Sequence, residues 1–264
     1  MTTVLKLGGE LLDDAGGMHA MAAAVRMLAA RESVIVVHGG GRAIDAELRL
    51  RGLEPRFVDG LRITDAAALD TVVSVLAGRT NTAFVAALHA CGVRAVGLTG
   101  ADAGIGLSRK ADLLTTVAGD QVDLGLVGVP NGAPAPLLQE LAGLGYVPVV
   151  ASIGVTPDGT LLNVNADTFA GHLAGAVGAR RLIIAGATAG VLDAAGATIP
   201  ELPLGRVDAM IASGVAHSGM VAKLLACRGA LAAGVSDVAI LSGRGVRDFD
   251  ESTGTRVRGA EVSA

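Results

Sequence analysis

Aromatic residues are scarce in this chain of 264 residues, which has no Trp, one Tyr and four Phe. Proteins that bind single-stranded nucleic acid commonly stack the bases on aromatic side chains, so we do not expect this class of ligand. A formal net charge of −4 at pH 7 also argues against a basic groove for nucleic acid. Small anionic ligands stay compatible with the composition, because a local positive cluster can lie inside an acidic protein.

Cysteine is equally rare, and Cys91 and Cys227 lie far apart in the sequence. Such a pair does not define a disulfide framework and fits a reduced, cytoplasmic protein. No charged segment followed by an apolar stretch opens the chain, so we expect no signal peptide. The longest segment without a charged residue or His, 141–157, is interrupted by Gly and Pro. It indicates loop, strand and loop rather than a membrane span.

Several well-known site motifs are missing. Neither GxxxxGK[ST] nor GxGxxG follows the first predicted strand, and no G-x-S-x-G turn occurs, which argues against a P-loop, a dinucleotide fold and a serine hydrolase. The five histidines do not have the spacing of a metal site, so we expect no metal ligands among them. They are His19, His38, His89, His172 and His217.

The chain contains several short Val/Ile/Leu runs bounded by Gly, and alanine-rich helical patterns lie between them. Runs of this kind are typical of parallel strands buried on both faces. The alternation predicts an α/β protein, a three-layer αβα sandwich with a mainly parallel, open central sheet. The predicted strands are "TVLKLGG", "SVIVVHGGG", "VRAVGLTG", "YVPVVASIG", "RRLIIAGATAG" and "SDVAILSGRG". The predicted helices are Met18–Ala30, Arg42–Arg51, Ala66–Ala90, Ala135–Leu144, Ala166–Val177, Val207–Ser213 and Gly219–Ala233.

Three segments interrupt this alternation and predict β-hairpins that project over the site. They are "EPRFVDGLRIT", "LSRKADLLTTVAGDQVDLGLVG" with two short strands and a turn at Gly119–Asp120, and "GVTPDGTLLNVNAD" with a turn at 157–159. We also expect two lobes within one continuous domain. Residues 1–164 would bind the substrate and form the dimer contact, and residues 165–264 would bind the nucleotide.

Lys6 lies inside the first apolar run and is followed by Gly8 and Gly9. A lysine near a strand end often extends its ammonium group into solvent. The two glycines favour a ligand instead, because they allow close approach and expose N–H groups to an anion. The second strand also ends in three glycines at a predicted helix N-terminus, which is an anion site by geometry and dipole. Together the two turns indicate a ligand that carries phosphate.

The sequence resembles the amino acid kinase family from residue 4 to about residue 258. The matching pieces are "KLGG", "VHGGG", "FVDGLRIT", "GLTG", "PVVASIGV", "LLNVNAD", "GVLD" and "SGMVAK". The most specific pieces, "FVDGLRIT" and "NVNAD", are similar to members that phosphorylate the side-chain carboxylate of N-acetyl-L-glutamate in arginine biosynthesis. The resemblance therefore implies a kinase that uses ATP and Mg²⁺ on this small substrate.

The same resemblance implies the roles of individual residues. Lys6 and Lys223 would flank the transferring phosphoryl group, with Asp167 holding both lysines. The substrate would be bound by Gly40, Gly41, Arg62 and Asn163. The phosphates and the nucleotide would be bound by Gly8, Gly9, Ala187, Gly190, Val191, Leu192, Ala216 and His217.

Taken one at a time, these residues also have ordinary structural interpretations. Asp167 lies at a predicted helix start and could simply cap it. Lys223 could be a surface lysine, and Arg62 a solvated cation on a hairpin. Their agreement with one family pattern, in the right order, favours the catalytic interpretation.

The chain departs from the family pattern at the end of the fifth predicted strand. Members usually carry a Ser/Thr–Asp pair where this chain has Gly186 and Ala187. Losing one polar contact typically costs about 1–3 kcal/mol, so we expect altered nucleotide binding before loss of activity. Two other interpretations stay open: a kinase of carrier-bound aminoadipate, and a ligand-binding or regulatory protein that has lost turnover.

The resemblance also bears on assembly. Members that arginine inhibits carry an extra helix ahead of the first strand, with which they build a hexamer. Since the first predicted strand begins near Thr3, we expect a homodimer that arginine does not inhibit.

Overall fold

The computed structural model describes residues 1–116, 119–132, 134–212 and 218–259. Within these residues the strands are numbered in chain order. The strands β1 to β16 are Thr2–Leu7, Ser33–His38, Phe57–Val58, Leu61–Arg62, Ala95–Thr99, Ser108–Lys110, Leu114–Thr115, Gln121–Val122, Val127–Pro130, Val147–Ala151, Ile153–Val155, Leu161–Val164, Arg181–Gly186, Glu201–Pro203, Asp237–Ser242 and Gly254–Arg258.

Eight α-helices are formed by the same residues. The helices α1 to α8 are Ala15–Ala29, Gly41–Leu50, Ala66–Val73, Thr82–Ala90, Pro136–Gly143, Ala166–Ala176, Leu204–Ala212 and Ser218–Ala232. The segment Ser74–Asn81 joins α3 to α4 as a π-helical stretch, so the predicted helix Ala66–Ala90 is continuous but widened in its middle. Each predicted helix is present; the final residue predicted for α7, Ser213, lies outside the described residues.

The main sheet has eight strands in the order β14-β16-β15-β13-β1-β2-β10-β5. The six predicted strands pair in parallel along its length, which confirms the mainly parallel sheet. Only β16 runs antiparallel to its neighbour β15, and it also pairs in parallel with β14. The predicted division at residue 165 stays a prediction, since this one sheet contains strands from both sides of it.

Alternation along the strands creates two cores. Val4 on β1 faces one core with residues of α6 and α8, whereas Leu5 and Leu7 face the other with residues of α1 and α4. Such alternation follows from the twofold side-chain period of a strand. Because helices cover both faces, the predicted three-layer αβα sandwich is confirmed. Lys6 has the same parity as Val4, and it therefore faces the α6–α8 side.

Two of the predicted hairpins are confirmed, and the third is more elaborate than predicted. β3 and β4 pair across Asp59 and Gly60, which both have positive φ angles, and β11 pairs with β12. The segment 107–128 holds the strands β6 to β9 instead of two strands. β7 and β8 form one hairpin, while β6 and β9 join β11 and β12 in a second, four-stranded sheet.

The helical residues Ala66–Ala90 form the one stretch, among the described residues, that is long and apolar enough to cross a membrane by length and composition. A core helix passes the same test. Phe84 and Leu88 are fully buried and pack with residues of α1, and Thr80 and Asn81 are buried polar residues. These contacts make the stretch part of the core of this fold.

Candidate active site

The carboxylate of Asp167 lies between two ammonium groups. Oδ1 of Asp167 is 2.8 Å from Nζ of Lys6, and Oδ2 is 2.9 Å from Nζ of Lys223. The side chains are 7%, 7% and 15% exposed for Lys6, Asp167 and Lys223. The structure thus brings Lys6, near the start of the chain, together with two residues from the second half of the sequence.

Two glycines in α6 allow this meeting, because they let α6 and α8 pack closely. A Cβ atom at Gly171 would lie 2.8 Å from the carbonyl oxygen of Ala226, and one at Gly175 would lie 2.6 Å from Cβ of Ala233. Atoms do not approach so closely in real structures, so only glycine fits at both places. The first turn of α6, which carries Asp167, is thereby held next to α8.

Asn165 rather than Asp167 caps α6. Oδ1 of Asn165 accepts hydrogen bonds from the backbone N–H groups of Asp167 and Thr168, at 2.9 and 3.1 Å. The helix end is therefore satisfied without the carboxylate of Asp167. This excludes the simple capping interpretation and leaves that carboxylate for the lysines.

The charges in the cluster influence one another strongly. Burial lowers the pKa of Lys6 below its ordinary value, the carboxylate of Asp167 opposes this shift, and the Lys223 ammonium adds to it. Burial would raise the pKa of Asp167, but the ammonium groups of Lys6 and Lys223 hold it below its ordinary value. Asp167 is therefore ionised at neutral pH, as a tether for two lysines requires.

The glycine-rich ends of β1 and β2 touch each other. A Cβ atom at Gly9 would lie 2.6 Å from Cα of Gly40, so the two backbones are in direct contact. Gly40 stands before α2 and its position has no side-chain cap, which leaves N–H groups at the helix start for a ligand. A phosphate group fits such a site, because the free N–H groups and the helix dipole both favour an anion.

One cleft contains most of the predicted catalytic and substrate residues. It has an empty volume of about 850 Å³, part of it open to solvent. Lys6 and Asp167 lie at one part of its lining and the hairpin β3–β4 at another. The predicted site residues that line it are Lys6, Gly9, Gly40, Gly41, Arg62, Asn163 and Asp167.

Arg62 is placed to bind a carboxylate at the hairpin end of the cleft. Its Nη2 donates to Oδ1 of Asp45 at 2.5 Å, and its guanidinium lies 4.6 Å from the ring centre of Phe57. Its Nη1 is buried and has no hydrogen-bond partner. An unpaired donor of a buried cation is costly, so this side of the guanidinium is suited to a ligand oxygen. Asn163 lies nearby and donates from Nδ2 to Oγ1 of Thr64 at 3.0 Å.

Comparison with known proteins agrees with this geometry. The sequence model of the family described as "Amino acid kinase family" matches residues 1–242 of this chain. The chain belongs to the amino acid kinase family. An acetylglutamate kinase of Methanopyrus kandleri is 41% identical over 260 residues, which cover 97% of this chain and 99% of that protein. An acetylglutamate kinase of Acidiphilium cryptum is 42% identical over 217 residues, which cover 80% of this chain and 72% of that protein.

Solved structures share the fold. The N-acetylglutamate synthase of Neisseria gonorrhoeae, complexed with coenzyme A and N-acetyl-glutamate, matches with a TM-score of 0.83 at 22% identity, over 97% of this chain and 59% of that one. The protein smu.665 of Streptococcus mutans matches with a TM-score of 0.80 at 25% identity, over 97% and 98% of the two chains. At 22% identity, the likeness to the N-acetylglutamate synthase shows a shared fold and nothing more.

The predicted nucleotide residues lie in several different surroundings. Gly8 and Gly9 lie where β1 ends, and Ala187 directly follows β13. Val191 is buried in the core, and its N–H donates to Oγ1 of Thr255 at 2.8 Å. Gly190, with a φ of 134°, packs against Thr255 as well, while Leu192 is 43% exposed. Ala216 and His217 lie outside the described residues, and all of these nucleotide roles stay predictions.

Glu10 is a cleft residue that the sequence patterns did not single out. Its Oε1 accepts a hydrogen bond of 2.9 Å from the backbone N–H of Ala187, at the position where the family's acidic residue is missing. The sequence did contain a signal for this contact. Glu10 directly follows "KLGG", and Ala187 stands where the family pattern has an acid.

Lysine usage is a second overlooked signal. The chain has 21 Lys and Arg residues, but only Lys6, Lys110 and Lys223 are lysines, and two of these three lie in the cluster. Lysine carries a compact charge, whereas arginine suits planar, bidentate pairs. The two lysines of the cluster therefore place compact charges where arginine would place a planar fork.

Proposed function

We propose that this chain transfers the γ-phosphoryl group of ATP to the side-chain carboxylate of N-acetyl-L-glutamate, forming N-acetylglutamyl 5-phosphate in arginine biosynthesis. The observation that carries the proposal is the Lys6–Asp167–Lys223 cluster, of which Lys6 and Asp167 line a cleft that also contains Arg62. The names of the 41–42% identical relatives agree with this activity.

The acceptor needs no general base. A carboxylate is already ionised at neutral pH, so one of its oxygens attacks the γ-phosphorus directly. A new bond forms between this oxygen and phosphorus, and the bond from phosphorus to the leaving oxygen of ADP breaks. The described residues that line the cleft include one serine, Ser152, and no histidine.

The main obstacle is repulsion between an anion and a polyanion, and the cluster addresses it with positive charge. Phosphoryl transfer depends largely on positioning and on electrostatic stabilisation. We assign Lys6 to the acceptor side and Lys223 to the leaving-group side of the phosphorus. Asp167 holds the two ammonium groups at their 2.8 and 2.9 Å contacts and reduces the repulsion between them.

The phosphates would be held by backbone N–H groups as well as by lysines. Gly8, Gly9, Gly40 and Gly41 supply close approach at the ends of β1 and β2. Mg²⁺, when bound with ATP, would neutralise part of the phosphate charge. We assign no protein ligand to it, because the described residues contain no group of three His, Cys, Asp or Glu side chains able to hold a metal ion.

Arg62 and Asn163 would bind the amino-acid end of the substrate. The buried, unpaired Nη1 of Arg62 suits the α-carboxylate, with which a guanidinium forms strong charge-assisted hydrogen bonds. The distance between this end of the cleft and the lysine cluster would then select a substrate whose second carboxylate reaches the γ-phosphorus.

An acyl-phosphate assay with hydroxylamine trapping tests this function. The enzyme receives ATP, Mg²⁺ and either N-acetylglutamate, glutamate or aminoadipate, and we expect product with N-acetylglutamate only. Lys6→Ala and Lys223→Ala should abolish most turnover while circular dichroism shows the fold retained. Product from aminoadipate alone would support the related carboxylate kinase, and no product at all would support a regulatory homologue.

The assembly and the location belong to the same proposal. We propose a cytoplasmic homodimer in which residues 1–164 bind the substrate and form the dimer contact, and residues 165–264 bind the nucleotide. Light scattering of the purified protein measures the dimer directly, and an arginine titration of activity tests the expected insensitivity.

A further inference from the structure

Glu10 lies where the ends of β1 and β13 meet. The hydrogen bond from the N–H of Ala187 to its Oε1 joins residues that are 177 positions apart. The contact therefore exists only in the folded sheet, where β1 and β13 are parallel neighbours. Glu10 also lines the same cleft as Lys6 and Asp167.

Two glycines provide the space for this carboxylate. A Cβ atom at Gly8 would lie 2.5 Å from Oε1 of Glu10, and one at Gly186 would lie 3.2 Å from the same oxygen. Gly8 has φ −62° and ψ 140°, a conformation open to any residue. A side chain at position 8 would therefore have to displace the carboxylate of Glu10.

The carboxylate of Glu10 and the side chain of Lys223 border the same space beside Gly186. The Cβ position of Gly186 that is 3.2 Å from Oε1 of Glu10 is also 3.9 Å from Cε of Lys223. A Ser or Thr at this position would compete with Glu10 for the same volume. Glycine at position 186 and glutamate at position 10 therefore fit each other.

The lysine cluster has a charge that Asp167 alone does not balance. Lys6 and Lys223 bring two positive charges, and Asp167 brings one negative charge. Burying an uncompensated charge is unfavourable. The charged groups that act on Lys6 are Asp167 from α6, Lys223 from α8 and Glu10 from the turn after β1.

Asp13 is the next acid along the chain, and it has a partner of its own. Its Oδ2 lies 3.7 Å from Nη1 of Arg42. Besides Asp167, the carboxylate that acts on Lys6 is that of Glu10.

We propose that Glu10 is a positioning residue of the phosphoryl-transfer site, which ties Ala187 to the turn after β1 and supplies the second negative charge of the lysine cluster. Its carboxylate accepts the backbone N–H of Ala187, the residue at which the acid of the family pattern is absent. The roles of the two lysines rest on the proposed function, but the charge balance can be measured without turnover.

The test is an NMR titration of lysine labelled with ¹³C at Cε, in the protein without nucleotide. Only three signals arise, and the substitutions Lys110→Arg and Lys223→Arg assign them. Lys110 is an internal reference, since it pairs on the surface with Asp123. The compared proteins are wild type, Glu10→Gln, Gly8→Ala and the control Glu140→Gln, which changes an exposed glutamate on α5.

We expect Glu10→Gln to lower the pKa of Lys6 relative to wild type and to leave Lys110 unchanged. Glutamine can still accept the Ala187 hydrogen bond, so this shift isolates the charge. Glu140→Gln should titrate like wild type. Gly8→Ala, which pushes the carboxylate out of its space without removing it, should shift the pKa of Lys6 in the same direction.

Unchanged titration of both Lys6 and Lys223 in Glu10→Gln and in Gly8→Ala would overturn the proposal. The pH dependence of kcat is a second, independent measurement. Its decrease at high pH should begin at a lower pH in Glu10→Gln, because a lysine with a lower pKa loses its proton at lower pH. A wild-type protein without kinase activity would disprove the proposed function and leave the NMR result standing on its own.

Discussion

Asn165 and Asp167 stand two residues apart at the start of α6, and only Asn165 caps the helix. Its side chain accepts the first backbone N–H groups, while the carboxylate of Asp167 contacts Lys6 and Lys223. Because Asn165 caps the helix, the carboxylate of Asp167 in the first turn is free to contact the two lysines. These two roles can therefore be tested separately.

Asp167→Asn should reduce kcat far more than Asn165→Ala. The amide cannot balance two ammonium groups, and losing one such preorganised electrostatic contact lowers kcat by about 100-fold or more. Asn165→Ala removes the cap and should lower the free energy of unfolding by about 1 kcal/mol, with a small change in kcat. Steady-state kinetics and urea unfolding of both variants measure this. A kcat for Asp167→Asn close to that of wild type would contradict the assigned role.

The strands of the central sheet were predictable because they are buried on both faces. Their apolar runs, such as "VIVV" and "LIIA", are continuous, and glycine follows each within two residues. β14 and β16 were not predicted, since Glu201–Pro203 is short and Gly254–Arg258 carries two arginines. These strands at the edge form by pairing with each other and with β15. Their formation depends on tertiary contacts that no local pattern reveals.

The candidate site was predictable to a similar degree. Lys6, Asp167 and Lys223 were identified through short family motifs, and the structure brings them together. Glu10 was missed because its partner, Ala187, offers only a backbone N–H from a distant segment. A contact of this kind leaves no residue type in the sequence to recognise at the second position.

Arg62→Lys should weaken substrate binding more than it slows the chemical step. Lysine cannot keep the Asp45 contact and also offer the donor that Nη1 of Arg62 leaves unpaired. We expect KM for N-acetylglutamate to rise about 10-fold or more, because a charged hydrogen bond contributes about 1.5–3 kcal/mol. Arg56→Lys is the matched control, since Arg56 pairs with Asp65 on the surface. Equal KM values for the two variants would speak against substrate contact by Arg62.

Gly171→Ala should disturb the cluster through helix packing. Its new Cβ atom would lie 2.8 Å from the carbonyl oxygen of Ala226, so α6 and α8 would have to move apart. Overpacking of this kind costs about 1–3 kcal/mol of stability, and kcat should fall because Asp167 and Lys223 separate. Gly229→Ala on α8 is the control, because a Cβ atom there meets nothing within 4 Å. Thermal unfolding and kcat are measured for both, and equal losses would contradict the packing argument.

His38→Gln should remove part of the acid sensitivity of the fold. His38 is fully buried at the end of β2, and its Nε2 lies 3.1 Å from Nδ2 of Asn81, which also donates to the carbonyl oxygen of Val149 at 2.8 Å. Burial lowers the pKa of His38 from 6.5 to about 4. The imidazole is therefore neutral in the folded protein, with Nε2 accepting from Asn81.

The sign of the effect follows from proton binding. Below pH 6.5 the unfolded chain takes up a proton at His38 that the folded protein refuses until about pH 4. Stability from this group is complete above pH 6.5 and is lost as the pH falls towards 4. Between pH 7 and pH 4 the wild type should lose about 3 kcal/mol more unfolding free energy than His38→Gln. Urea unfolding of both proteins at pH 7, 6, 5 and 4 measures the difference, and parallel curves would show that His38 takes up its proton as readily in the folded protein as in the unfolded chain.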